Sequence, residues 1–181
     1  MARQPALVVA LLGAESTGKT TLACALAEQL AQETGQSATW VPEVLRQWCE
    51  TAGRTPRVDE QLAIAQAQHA RIAQAAASHA FVVCDTTALM TAVYSRLIFG
   101  DRSIEAWAVQ AHARVSLTLL TALDLPWVPD GLQRDGPHVQ QQVDDALRAL
   151  LQAHALPWAR VAGQGPARLQ AALAAVRPLL S

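Results

Sequence analysis

The sequence predicts an α/β fold: one sheet of five parallel strands with helices on both faces. Two observations carry this. Short apolar runs recur along the 181 residues: "ALVVALL" (6–12), "SATWV" (37–41), "AFVVCD" (80–85), "SLTLLTA" (116–122) and "WARVAG" (158–163). Longer stretches suited to helices separate them. Strands that read as near-continuous apolar runs are covered on both faces, and alternation with helices makes their connections parallel crossovers. No internal repeat or low-complexity linker interrupts the pattern, so residues 1–181 are expected to form one domain.

The first run superficially imitates a signal peptide, with a single Arg before it. It leads into "GAESTGKT" without a polar break, however, and is read as a buried strand. Helices are expected over "TTLACALAEQLAQETG", "EVLRQWCETAG" and "VDEQLAIAQAQHARIAQAAASH". After the third strand come "LMTAVYSRLIFG" and "SIEAWAVQAHAR", then "HVQQQVDDALRALLQAHA", and "PARLQAALAAVRPLL" closes the chain. Two breaks stand out. "AGRTPRV" (52–58) joins two helices, and "DLPWVPDGLQRDGP" (124–137) is a loop of 14 residues. Structureless loops of that length inside a domain are commonly lids or binding loops.

Hydrophobic residues make up 51% of the chain and charged residues 16%, a globular composition. No apolar run approaches the roughly 18 residues that a membrane span needs. The net charge of −1 and the lack of a basic block point away from nucleic acid and anionic membranes as partners. Cys24, Cys49 and Cys84 are far apart with no metal-ligand spacing, so reduced thiols in a cytoplasm are expected. The five histidines also show no metal spacing. Lys19 is the only lysine beside thirteen arginines. It marks a place where a compact ammonium on a flexible stem is wanted.

Lys19 lies in "GAESTGKTTL", which matches G-x-x-x-x-G-K-[ST] between an expected strand and an expected helix. Gly13 and Gly18 let the backbone curl so that successive N–H groups face inward around an anion. Glu15, Ser16, Thr17 and Thr21 complete the loop and the first helical turn, whose dipole favours phosphate. Lys19 is placed to reach the β- and γ-phosphates of ATP, and the Thr20 hydroxyl to ligate Mg²⁺.

In an open parallel sheet, ligands bind beyond the carboxyl ends of the strands. Glu43 follows the second strand, with Arg46 and Trp48 behind it, and Asp85 ends the third. Two carboxylates there suit two tasks: Asp85 holds the metal, and Glu43 accepts the proton of an attacking hydroxyl. Asp85 also suits a helix N-cap, and Glu43 a first-turn acid. Arg134 in the long loop is placed to neutralise charge on the transferring phosphoryl, or else is a solvated surface residue. Gly163 and Pro166 either admit an adenine ring or form a plain turn. Trp48 is either packed in the core or stacked on a ring-shaped substrate. His138 is a weak candidate for phosphate contact.

These residues, in this order, resemble the ribosylnicotinamide kinase domain of NadR-type proteins, a branch of the P-loop ATPases. "GAESTGKTTL" is similar to that family's phosphate loop, and "PEVLRQW" to its segment with Glu43 and Arg46. "IAQAQ" is similar to a helix bearing Gln68. "DTTALMTAVYSRLIFG" matches a strand-end Asp85 with Thr91, Tyr94 and Gly100 behind it. "DLPWVPDGLQR" matches the segment carrying Trp127, Asp130, Gly131 and Arg134. The resemblance implies a strand order of 2-3-1-4-5, and ATP-dependent phosphorylation of the ribosyl 5′-hydroxyl of ribosylnicotinamide. It implies Glu43, Arg46, Gln68 and Tyr94 as substrate contacts, beside the stacking Trp48 already considered. The chain departs from the family at Pro42, where an aromatic is frequent, and at Thr87, where a second acid is frequent. A further lid Arg is absent, with Gly136, Pro137 and His138 in its region. A kinase for another nucleoside or small metabolite, and a regulatory ATP-binding module with little transfer, are the alternatives. The oligomeric state is not legible in the sequence.

Overall fold

The computed structural model describes residues 5–128 and 137–180. The chain runs β1 (Leu7–Leu12), α1 (Lys19–Thr34), β2 (Ala38–Val41), α2 (Val44–Ala52) and α3 (Gln61–Ser78). It continues through β3 (Phe81–Asp85), α4 (Ala88–Phe99), α5 (Glu105–His112) and β4 (Leu117–Thr121). α6 (Pro137–Ala153), β5 (Trp158–Val161) and α7 (Pro166–Val176) complete it. Single 3-10 turns at Val58–Glu60 and Arg177–Leu179 precede α3 and follow α7.

The five strands form one parallel sheet in the order β2-β3-β1-β4-β5. Both faces of its centre are closed. Val9 and Leu11 point to the side where Leu22, Leu26 and Leu173 of α1 and α7 pack. Val8 and Ala10 point to the other, towards Ile72 of α3. A larger cluster around Leu12, Leu89 and Leu147 extends that second face under α2 to α6. Alternate residues of β1 thus bury in opposite directions, which is why the run carries no polar residue at all. Among the described residues no helix is long and apolar enough to cross a membrane.

Register places the site. Leu11 pairs with Asp85, and Val41 with Cys84. The ends of β2, β3 and β1 are therefore level, and the segments leaving them share one edge of the sheet.

One buried polar bridge lies just behind that edge. The Nδ1 of His112 is 2.8 Å from the Thr87 hydroxyl and its Nε2 is 2.7 Å from the Thr118 hydroxyl. The ring is 2% exposed, and burial pushes its pKa down from 6.5 to about 4. The imidazole is therefore neutral, while an unfolded histidine takes up a proton near 6.5. Between those values the unfolded chain binds more protons than the folded one. This contribution to stability is full above the upper value and falls by about 3 kcal/mol as pH drops through the window. Urea unfolding at about pH 7 and about pH 4 is expected to show the loss. In His112→Gln it should be smaller by that amount.

Candidate active site

The phosphate loop lies between Leu12 and Lys19, and its backbone takes three left-handed or unusual turns, at Gly13 (φ 151°), Ser16 (φ 55°) and Gly18 (φ 76°). Gly18 occupies the N-cap of α1 without a side-chain cap. The first N–H groups of that helix thus have no intrahelical or capping partner, the arrangement that receives an anion. The half-buried Lys19 donates from Nζ to the Ala14 carbonyl at 2.7 Å, folding its stem across the loop. Thr17 donates to the same carbonyl at 2.8 Å and accepts from Thr121 of β4 at 2.7 Å.

Asp85 ends β3 and is 2% exposed. One carboxylate oxygen, Oδ2, accepts a hydrogen bond from the Thr20 hydroxyl, while Oδ1 is buried without a hydrogen-bond partner. Hard oxygen donors from a loop threonine and an aspartate, one oxygen still unsatisfied, fit a small divalent cation bound with water and phosphate oxygens. Asp85 is not the cap of α4. Thr87 is, accepting from Leu89 N at 3.3 Å. Between the two lies Thr86 with φ 68°, a left-handed conformation costing a β-branched residue about 1–3 kcal/mol. Its neighbours leave it no alternative: its N–H is held by the Leu11 carbonyl at 3.1 Å, and Thr87 is committed to the cap.

Glu43 occupies the N-cap of α2, one residue outside the first turn, and makes no capping bond. It is 8% exposed, and its Oε2 lies 3.8 Å from Nε of the exposed Arg46. Gln68, buried on α3, accepts from Val44 N at 2.7 Å and donates to the Pro42 carbonyl at 3.4 Å. Its amide therefore engages backbone on both sides of Glu43. Trp48 is half-buried against the core, and the Arg54 guanidinium lies 4.9 Å from its ring centroid. Glu60 holds Arg54 in place through bonds of 2.8 and 2.7 Å, which keep the Glu60 carboxyl down at about 2. A stacking substrate would meet that cation on the ring. Tyr94 is 5% exposed and packs in the core with α4.

At the far side of the phosphate loop, Gly163 donates its N–H to Asp124 at 2.6 Å, and Pro166 opens α7. Arg168 ties this turn together. It donates to the Val161 and Ala122 carbonyls at 3.1 and 3.3 Å and to Asp124 at 2.9 Å. Burial pushes its pKa down against the opposing effect of Asp124. Arg168, Asp124 and Thr121 were not foreseen as parts of the site, nor was Gln140 of α6, which donates to the Glu15 carbonyl at 2.7 Å. The expected lid is described only at its ends. Ser16 donates its hydroxyl to the Val128 carbonyl, and Val128 N returns a bond of 3.3 Å. Asp130, Gly131 and Arg134 lie outside the described residues, and His138 is exposed at the start of α6. Among the described residues no group of three or more His, Cys, Asp or Glu is placed to hold a metal, and the three cysteines are free.

Comparison with known proteins bears on the family and the fold. Residues 8–168 match the family described as AAA domain, and the chain belongs to that family. No curated protein matches the sequence. In fold it is similar to NadR protein in complex with NAD and AMP-PNP, with a TM-score of 0.77 and 22% identity. That match covers 96% of this chain and 49% of NadR, so the chain spans about half the NadR length. NadR in complex with NR gives a TM-score of 0.76 at 22% identity, covering 96% and 50%. Thymidylate kinase from Ehrlichia chaffeensis gives 0.66 at 16% identity, covering 97% and 99%. Shikimate kinase from Acinetobacter baumannii in complex with shikimate gives 0.52 at 16%, covering 97% and 94%. The fold is that of the P-loop kinases, and the expected sheet order is the observed one.

Proposed function

We propose that this member of the AAA-domain family is an ATP-dependent phosphotransferase acting on a small nucleoside-like alcohol, with ribosylnicotinamide the first acceptor to test. One observation carries the reading. Lys19 and the Thr20–Asp85 pair stand together at the level ends of β1 and β3, beside an uncapped helix start. That arrangement binds the phosphates of a nucleotide and has oxygen donors for Mg²⁺.

In this reading the N–H groups of the loop and of α1 hold the β-phosphate, and Lys19 leaves the Ala14 carbonyl to bridge towards the γ-phosphate. Thr20 and Asp85 would hold Mg²⁺, which would supply positive charge to the phosphates. Glu43, leaving the strand next to Asp85, accepts the proton of the acceptor hydroxyl as it attacks. Arg46 and Trp48 line the acceptor side, and Tyr94 supports it from the core. Gly163 and Pro166 border the base. Arg134 supplies positive charge to the transferring γ-phosphoryl. Ribosylnicotinamide is favoured by the ordered match of Glu43, Arg46, Gln68, Asp85 and Tyr94 to the NadR-type pattern, and by the fold likeness to NadR. The cytoplasm, where ATP is abundant, is the compartment this reading assigns.

The test is release of ADP across a panel of nucleosides that includes ribosylnicotinamide. Glu43→Gln is expected to lower kcat by about 10²- to 10⁴-fold while leaving ATP affinity intact. Asp85→Asn should instead weaken Mg²⁺ dependence and kcat together. A purely regulatory ATP-binding module would show no acceptor-dependent ADP release, and Glu43→Gln would change nothing.

A further inference from the structure

We propose that Gln68 is a positioning residue, which fixes the backbone on both sides of Glu43 and so aims the Glu43 carboxylate. The inference rests on the reading of Glu43 as the base. A helix normally begins with a side-chain oxygen at its N-cap accepting a nearby backbone N–H. Glu43 holds that position, with extended φ −67° and ψ 117°, yet makes no such bond. The bond to the first helical N–H comes from elsewhere in the chain. Gln68 Oε1 accepts from Val44 N at 2.7 Å, although Gln68 lies 24 residues further along the chain.

The other end of the same amide donates to the Pro42 carbonyl at 3.4 Å. One side chain therefore clamps the residue before Glu43 and the residue after it. Only glutamine meets both demands at this reach, because one end must accept and the other donate. The amide is 2% exposed, so water does not replace it cheaply. Fixing the peptides before and after Glu43 fixes the direction in which its side chain leaves the chain, and that direction is what a general base needs. In this role Gln68 acts through Glu43 and needs no contact with a substrate.

A double-mutant cycle tests this, reading ADP release with ribosylnicotinamide, or with water as acceptor if that alcohol is not taken. Gln68→Met is expected to lower kcat by about 10- to 100-fold with the KM for ATP nearly unchanged, and to lower Tm because two backbone groups lose their partner. In the Glu43→Gln background it should cost no further kcat, because there is no base left to misplace. Equal fold losses of kcat in both backgrounds, or a fall in ATP affinity parallel to that in kcat, overturn the role of Gln68 and spare Glu43. If Glu43→Gln alone leaves turnover unchanged, the base reading fails and this one with it. Should the Met variant not fold, Gln68→Asn runs through the same cycle with the same outcomes. It keeps the amide but is one methylene too short to hold both backbone groups.

Discussion

Lys19→Ala abolishes phosphoryl transfer, and Lys19→Arg does nearly as badly: that is the expected result with the largest effect on activity. The ammonium of Lys19 sits across the phosphate loop, 2.7 Å from the Ala14 carbonyl, as a compact point charge on a bent stem. A guanidinium is longer, planar and rigid in its fork, and it cannot take that place without leaving the loop. Loss of a charge aimed at the transferring phosphoryl is worth on the order of 10³-fold in kcat/KM. The half-buried lysine makes little of the core, so both variants should melt near the parent temperature. Steady-state ADP release beside a thermal melt decides the matter. Near-normal turnover of the Arg variant would show that the loop does not work through this residue.

Gly13→Ala is expected to be the most damaging single substitution for the fold around the site. A Cβ at Gly13 would stand 2.0 Å from Thr121 Oγ1 and 3.2 Å from Thr17 Oγ1, with φ at 151°. Neither threonine can yield freely, because the two hydroxyls are bonded to each other and Thr17 also holds Ala14. Strained backbone, overlap and broken buried bonds together put the loss at about 3–5 kcal/mol. Chemical denaturation measures it. Nucleotide affinity should fall in the same variant even under conditions where it remains folded. The partner change Thr121→Ser removes only a methyl and should be tolerated, whereas Thr121→Val should reproduce part of the defect by deleting the hydroxyl. A Gly13→Ala protein as stable as the parent would overturn this account of the loop.

The strands were legible to within about two residues because each apolar run is buried on two faces, and burial of that kind leaves an unbroken signature. Helix starts were legible where chemistry marks them, as at Lys19 behind Gly18 and at Pro166 behind Gly165. The strand order was a matter of resemblance, since apolar runs say nothing about which neighbour each one takes. The placement of Glu43, Asp85 and Thr20 at one edge of the sheet was legible because each follows or ends an apolar run or the phosphate loop. Thr121 was not, although a threonine ending an otherwise buried strand is a visible oddity. Its partner lies 104 residues away, and no local pattern points there. Arg168 was hidden for the same reason. An arginine on a helix reads as surface, and only the ends of β4 and β5 bring the Ala122 and Val161 carbonyls to it. Gln68 was noticed, but its geometry shows it holding backbone.

β4 and the segment after it meet the phosphate loop three times: Thr121 on Thr17, Leu125 against Gly18, and Val128 with Ser16. A loop held at three points has already lost its conformational freedom when the protein folds, at about 1–2 kcal/mol of entropy per residue. An arriving triphosphate then finds the cradle assembled and surrenders little of its binding energy to shaping it. The same contacts couple two stretches more than a hundred residues apart in the chain. A drift in residues 121–128 would be felt in the cradle at once, and relatives that alter one stretch should be found to have altered the other.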